Sequence, residues 1–548
     1  MKTSSISLIS FALSAMAASF AGAADNTYYI WAGATKANEE VDLLKPSNWS
    51  TSDTGYAAPA EGTEMNSPQT NWVFDYGAYL PVSGRTDNIF HRIKTPVLDI
   101  ASISIINHNA TDTGYWASDG FHETGASSGI KFVAGTSNSS WNIGTFTYTG
   151  ATGSYDRGVI LGAGQVTSFQ PDITIGTMNI GQGENTTAFR IGDYACGVAY
   201  ATVEDGDIKV GDPVAIADTT GAKSLTVTGD INLHGNVAFK TNVWNEDAMA
   251  SHSEYSPDIL VQGVVRMTQS DGGKKPIWDV LYRTSTISWK NSKPAVPAID
   301  TFIKIGGLEG SGTISNDSKT IDPSTVKIIF TNKTDCEFTG NFTENKFNSN
   351  GNKEELNTVM SVKMAGQNGA KQIIRADADF TGTVEVESGT LIMHSTTALG
   401  KLTMTGGAFG GIDGGIIVSS AEWRAGDFIF CNADSLNGGV PDMVKIEGTF
   451  EKAGEGRIGV DFAGFDPSIF IDDGTVLELI TANALEGSFS SDANDDFEAK
   501  NLANGFADFA WAGNTLTVTF SQVPESAAVA AIFGAIALGF AAWRRRKI

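Results

Sequence analysis

Phe380-Thr381-Gly382-Thr383-Val384, followed after three residues by Ser388-Gly389-Thr390-Leu391-Ile392-Met393, decides the fold class. Both runs are short, rich in β-branched residues and broken by glycine, the pattern of strands entered through tight corners. Glycine suits such a corner because, lacking Cβ, it adopts positive φ without a clash. The same signature recurs at Val97 to Ile106, Ile143 to Tyr148, Ile173 to Ile180, Ser224 to Leu233, Val326 to Phe330 and Leu516 to Phe520. Long stretches of 3.6-residue periodicity are missing. Short helices are expected only near Asn245 to Ala250 and Lys353 to Val359.

Strand signals return at intervals of roughly 20 to 25 residues, a spacing at which one segment can complete a turn of a solenoid and stack on the last. The expected fold is therefore all-β: an elongated, right-handed parallel β-helix or β-solenoid, with neighbouring strands about 4.8 Å apart and Val, Ile, Leu and Phe stacked inside. Residues 305 to 410 carry Ile305-Gly306-Gly307-Leu308-Glu309-Gly310-Ser311-Gly312-Thr313-Ile314 and Phe338-Thr339-Gly340 besides the two opening runs. Together they resemble the autotransporter-associated β-strand repeat. That resemblance implies a solenoid passenger, although no translocator barrel follows in this chain.

Residues 24–95 concentrate Tyr28, Tyr29, Trp31, Trp49, Trp72, Phe74, Tyr76 and Tyr79 and read as an aromatic-rich N-terminal cap. Stacking of sugars on these rings is the functional alternative. The expected organisation is a signal peptide over 1–23, the cap over 24–95, the solenoid body over 96–439, a C-terminal β module over 440–522 and a sorting signal over 523–548.

The formal charge of the chain is -25. The acidic excess is larger still in the body, because Lys2, Arg544, Arg545, Arg546 and Lys547 lie in the end segments. Such a surface repels phosphate backbones, so nucleic acid is not an expected partner. It would attract divalent cations weakly, and weak Ca²⁺ binding is the one cofactor interaction it allows. Cys196, Cys336 and Cys431 are far apart in sequence, which argues against a disulfide framework and against a paired-thiol metal site.

Both ends point outward from the cell. Lys2, the apolar stretch from Ile6 to Phe20 and the A-x-A site formed by Ala21 and Ala23 have the order of a signal peptide, so signal peptidase is an expected partner. At the other end come Val523, Pro524 and Glu525, then an uncharged run from Ala527 to Trp543, then Arg544, Arg545, Arg546 and Lys547. As a helix, 527–543 would span about 25 Å, with the basic tail 544–547 kept in the cytoplasm. A transmembrane sorting helix holding the chain at the inner membrane before processing is the expectation. This tripartite end resembles the PEP-CTERM sorting signal of exopolysaccharide-producing Gram-negative bacteria. The resemblance implies recognition by an exosortase-type enzyme, cleavage near Pro524-Glu525, and a final place at the cell surface or outside it. Ser526 stands where the family's motif has its second proline.

Reactive groups are sparse in pattern. His91, His108, His122, His234, His252 and His394 form no metal-ligand motif, and the Walker signature is absent. Asp377 with Asp379 could share a strand face, and Asp461, Asp466, Asp472 and Asp473 cluster in sequence, so a lyase or glycosidase on the same scaffold is the enzymatic alternative. Asp492-Ala493-Asn494-Asp495-Asp496 starts like a calcium loop, but Phe497 stands where the turn glycine belongs. No catalytic, cofactor or metal residue is assigned. The sequence reads as a non-enzymatic, structural or adhesive surface protein associated with exopolysaccharide or biofilm, with the enzyme and a sugar-binding protein as rivals.

Overall fold

The computed structural model describes residues 26–30, 41–75, 90–108, 130–134, 136, 138–150, 159–163, 171–181, 188–191, 201–204, 207–210, 224–234, 236–240, 258–269, 276–283, 300–318, 324–347, 353–354, 358–430, 442–463, 465, 475–503, 505–522, 535–538 and 543–545. The chain is all-β and divides into two compact units, Met1–Lys304 with Ser311–Ser324, and Ile305–Gly310 with Thr325–Ile548.

In the first unit one ladder is built from Thr70–Asp75, Val97–His108, Ser140–Gly150 and Asp172–Ile180, each parallel to the one before. It continues through the pairs Ser224–Val227 with Ile231–Leu233 and Asp258–Val261 with Val265–Met267. A second ladder runs through Phe90–Ile93, Ile130–Ala134, Val159–Ala163, Ala188–Ile191, Asn236–Lys240 and Ile277–Arg283. Register is held by the core. Trp72, Ile103, Phe146, Met178, Ile231 and Val265 stand opposite one another in successive strands, and all are buried. A slip of one residue would turn this whole column to solvent, so alternation alone fixes the pairing.

Four rings of the N-terminal segment, Tyr28, Trp49, Trp72 and Phe74, belong to that core. Trp49 stacks on Trp72 at 5.3 Å, meets Phe74 edge-on, and donates its indole N–H to the Leu43 carbonyl at 2.9 Å. Strand Asn26–Ile30 pairs in parallel with Thr70–Asp75 and extends the ladder by one strand.

In the second unit Lys371–Asp379, Thr390–His394, Leu402–Gly411 and Ala421–Ile429 pair in parallel in turn. Val444–Lys452 pairs with both Ala421–Ile429 and Leu477–Gly487. The unit ends antiparallel: Thr515–Gln522 lies between Leu477–Gly487 and Gly505–Ala512. The corner before Thr390 has Gly389 at φ +76°, as expected of a glycine corner, and a Cβ there would also lie 2.8 Å from the Ala370 carbonyl oxygen.

Three expectations are corrected. The parallel sheet closes as a 14-stranded β-barrel, which replaces the open right-handed β-solenoid with its aromatic cap. Alternation reports only that one sheet face is buried, and a closed sheet satisfies that as well as an open stack. The expected C-terminal transmembrane helix is not found. Among the described residues no helix is long and apolar enough to cross a membrane; within 527–543 the described residues are Ala535–Leu538 and Trp543, all helical. Eight alanines and two glycines give that run little apolar surface per turn. Lastly, the helix expected near Lys353 to Val359 is replaced by strands Lys353–Glu354 and Thr358–Ala365, whose cross-strand partners override local propensity. Asn245 to Ala250 lie outside the described residues.

Candidate functional site

The first unit carries an ordered polar face opposite its apolar columns. In Thr145-Phe146-Thr147-Tyr148 the two rings point inward and are fully buried, which sends both hydroxyls outward. The strands on either side repeat the pattern. Asn71, Ser102, Thr145 and Thr177 make one outward row, and Ser104, Thr147, Asn179, Asn232 and Arg266 make a second. A third row, Asp99, Asn142, Thr174 and Thr226, lies beyond the bend at Gly144 and Gly176.

Side chains within these rows are tied to one another. Ser102 Oγ donates to Asn71 Oδ1 at 2.6 Å, and Asn232 Nδ2 donates to Asn179 Oδ1 at 2.9 Å. Arg266 pairs with Asp230, which also accepts the Val264 backbone N–H at 2.8 Å. Partial burial works to raise the Asp230 pKa, but the Val264 N–H and the Arg266 guanidinium outweigh it and hold the carboxyl below its usual range. The face therefore offers hydroxyls and amides, held in place, at a repeat of about 4.8 Å set by strand spacing. Its outward groups are hydrogen-bond donors and acceptors.

The carboxylates singled out from sequence that lie among the described residues accept hydrogen bonds from neighbouring chain segments. Asp377 accepts the backbone N–H and the hydroxyl of Thr396, both at 2.7 Å. Asp379 accepts from Thr343 Oγ1 at 3.3 Å and Asn345 Nδ2 at 3.1 Å, so the two aspartates of this strand are engaged in different places. Asp461 receives the Ala463 N–H and Asn501 Nδ2. Asp466, Asp472 and Asp473 lie outside the described residues. In the stretch that starts like a calcium loop, Asp492 caps the short helix Ala493–Asp496 through the Asn494 N–H, Asp495 accepts from Ser490 Oγ, and Asp496 turns inward to Lys452. Among the described residues no group of three His, Cys, Asp or Glu side chains could hold a metal ion. His394 Nδ1 sits 3.1 Å from the Ile412 carbonyl oxygen and 3.2 Å from that of Gly415.

Of the N-terminal rings, Trp31, Tyr76 and Tyr79 lie outside the described residues and Tyr29 is half-buried. Trp49, Trp72 and Phe74 are buried completely, and Tyr28 nearly so. Ala21, Ala23, Val523, Pro524, Glu525 and Arg546 lie outside the described residues, while Arg544 and Arg545 are exposed.

Sequence reasoning missed two features. One is the outward polar rows, whose signal was the Thr-x-Thr alternation already used to place strands. The other is the Lys452–Asp496 pair, whose signal was a lysine at a position that alternation sends inward after Val444, Ile446 and Phe450. No family model matches the chain, and neither a curated protein nor a solved structure is significantly similar to it.

Proposed function

We propose that the chain is an exported surface or matrix protein that works by adhesion, laying its outward Ser, Thr and Asn rows against an extracellular polysaccharide. The observation that carries this reading is the register of those rows: hydroxyls and amides repeat once per strand over four or more neighbouring strands. A ligand that repeats its own hydroxyls is held at many weak points at once, and such contacts add up without a deep pocket. The acidic balance favours a neutral or cation-bridged glycan over nucleic acid.

Export rests on the two ends. Cleavage after Ala23 by signal peptidase, and recognition of Val523-Pro524-Glu525 with Arg544, Arg545 and Arg546 by an exosortase-type enzyme, would deliver the body to the cell surface or the medium.

The test is co-sedimentation of the purified protein with insoluble polysaccharides and with exopolysaccharide from the producing cells. Wild-type protein is expected in the pellet, and the triple variant Thr147→Val, Asn179→Leu, Asn232→Leu in the supernatant with an unchanged far-ultraviolet spectrum. Equal sedimentation of both proteins, or none by either, would refute the reading. Mass spectrometry of medium and envelope tests the tail: Arg544 to Lys547 still present on the mature protein would rule out processing there.

A further inference from the structure

Strand Val444–Lys452 alternates inward at Val444, Ile446 and Phe450, and its last residue, Lys452, is buried like them. Its ammonium meets a single carboxylate, Asp496, with Nζ 2.6 Å from Oδ1 and side-chain exposures of 6% and 2%. The other oxygen, Oδ2, accepts the Ser490 backbone N–H at 2.6 Å. Asp496 is held in place from both sides, by the helix turn capped at Asp492 and by Phe497, which opens the strand paired with Ile458–Asp461. The residues flanking these groups in sequence are aromatic and pack together: Phe450 on Phe489 at 5.0 Å, and Phe489 and Phe497 each on Trp511 at 5.5 Å.

We propose that Lys452 and Asp496 form a covalent amide crosslink in the mature protein. Away from water the charged pair loses the solvation that favours it, and passing the proton from Nζ to the carboxylate yields the neutral amine and acid. Those are the reactive forms. Nζ attacks Cγ, and negative charge develops on Oδ2, where the Ser490 N–H already points. The Cγ–Oδ1 bond then breaks, Oδ1 takes up a second proton from the nitrogen, and one water leaves. One C–N bond is made and one C–O bond lost, with no oxidant or reductant. Proximity supplies much of the drive, because strand Val444–Lys452 and the helix turn Ala493–Asp496 hold the two groups in contact.

The bond would close a loop between residues 44 apart in sequence and join strand Val444–Lys452 to the short helix Ala493–Asp496. It is independent of what the outer rows bind, so the adhesive reading can fail without it.

The test is a tryptic digest of the denatured, reduced full-length protein. Expected are no cleavage after Lys452 and a branched peptide containing residues 452 and 496 whose mass is lower by one water than its two parts together. In Lys452→Arg, which keeps the cation but has no nucleophilic amine, cleavage at position 452 should return and the branched peptide vanish. If that variant does not fold, the wild-type digest still decides. Recovery of the linear peptide ending at Lys452 as the main product from folded wild-type protein would overturn the proposal.

Discussion

A Cβ built on Gly176 would lie 2.2 Å from the carbonyl oxygen of Gly144, the residue directly beneath it in the neighbouring strand. The same close approach recurs at Gly229 over Gly176 and at Gly263 over Gly229, so a column of glycines marks where these strands bend. A methyl group at such a place can be admitted only by moving backbone, and several ladder hydrogen bonds with it.

Gly176→Ala is therefore expected to lower stability by about 2 to 4 kcal/mol. Gly55→Ala is the control, since nothing lies within 4 Å of a Cβ there and its φ is not in the left-handed region. Urea denaturation followed by tryptophan fluorescence should separate the two. Equal midpoints would mean that the ladder has slack at the bend.

A second prediction concerns Gln372, a fully buried amide at an inward position of its strand. Its Oε1 accepts the Leu308 N–H at 3.0 Å and Asn332 Nδ2 at 3.1 Å, while its Nε2 donates to the Leu308 carbonyl at 2.9 Å. Leucine would fill much of the space yet strip both backbone groups of Leu308 of this partner. Because each buried orphan costs about 1 to 3 kcal/mol, Gln372→Leu should cost about 2 to 5 kcal/mol despite raising the apolar content of the core. A variant as stable as wild type would show that the amide is replaceable.

Glu422 gives the pH dependence. Its side chain is 11% exposed and takes hydrogen bonds from Lys401 and Arg424, which hold its pKa below the ordinary 4.5. The folded protein thus binds this proton less readily than the unfolded chain. The stabilisation is complete above the unfolded pKa and is lost as pH falls through the lowered folded value. Glu422→Gln should cost about 1 kcal/mol or somewhat more at pH 7, with the deficit shrinking in acid. Urea midpoints for both proteins from about pH 7 down to about pH 3 check this, and a pH-independent gap would contradict it.

Much of the fold was legible where one residue's side decides the outcome. Thr145-Phe146-Thr147-Tyr148 told which side chains go in, and Ser388-Gly389-Thr390 marked a corner that does adopt positive φ. Closure of the sheet was not legible, because partners such as Asn179 and Asn232 are 53 residues apart and nothing local says where a ladder ends. The aromatic N-terminus was ambiguous for a related reason: ring-rich sequence fits a sugar-stacking surface as well as buried packing, and it is the Trp49–Trp72 stack that puts those two rings in the core. The acids were read as candidate pairs by proximity in sequence, whereas Asp377 and Asp379 reach Thr396 and Asn345, on different chain segments. Burial of Lys452 was hinted at by parity, but its partner lies beyond a turn and a helix.

The last prediction concerns the edge of the second unit. Gly505–Ala512 pairs with Thr515–Gln522 on one side, so its other side would present bare N–H groups to a further strand. Asn494, on the short helix, meets that side: its Oδ1 accepts the Phe509 N–H at 3.0 Å while its Nδ2 donates to Asp508 at 2.8 Å. The amide thus occupies the place an added strand would take, beside the exposed ring of Phe506. Asn494→Ala removes the plug without disturbing the core, at a direct cost of about 1 kcal/mol. The larger effect should be on association, because an uncovered edge next to an exposed aromatic is a template for pairing between chains. Light scattering on concentrated wild-type and variant protein at equal fraction folded should show the variant growing larger with time. A second substitution, Ala507→Pro, removes an N–H from the same edge strand and should reverse the growth. If the variant stays monomeric, the edge is guarded by something other than Asn494.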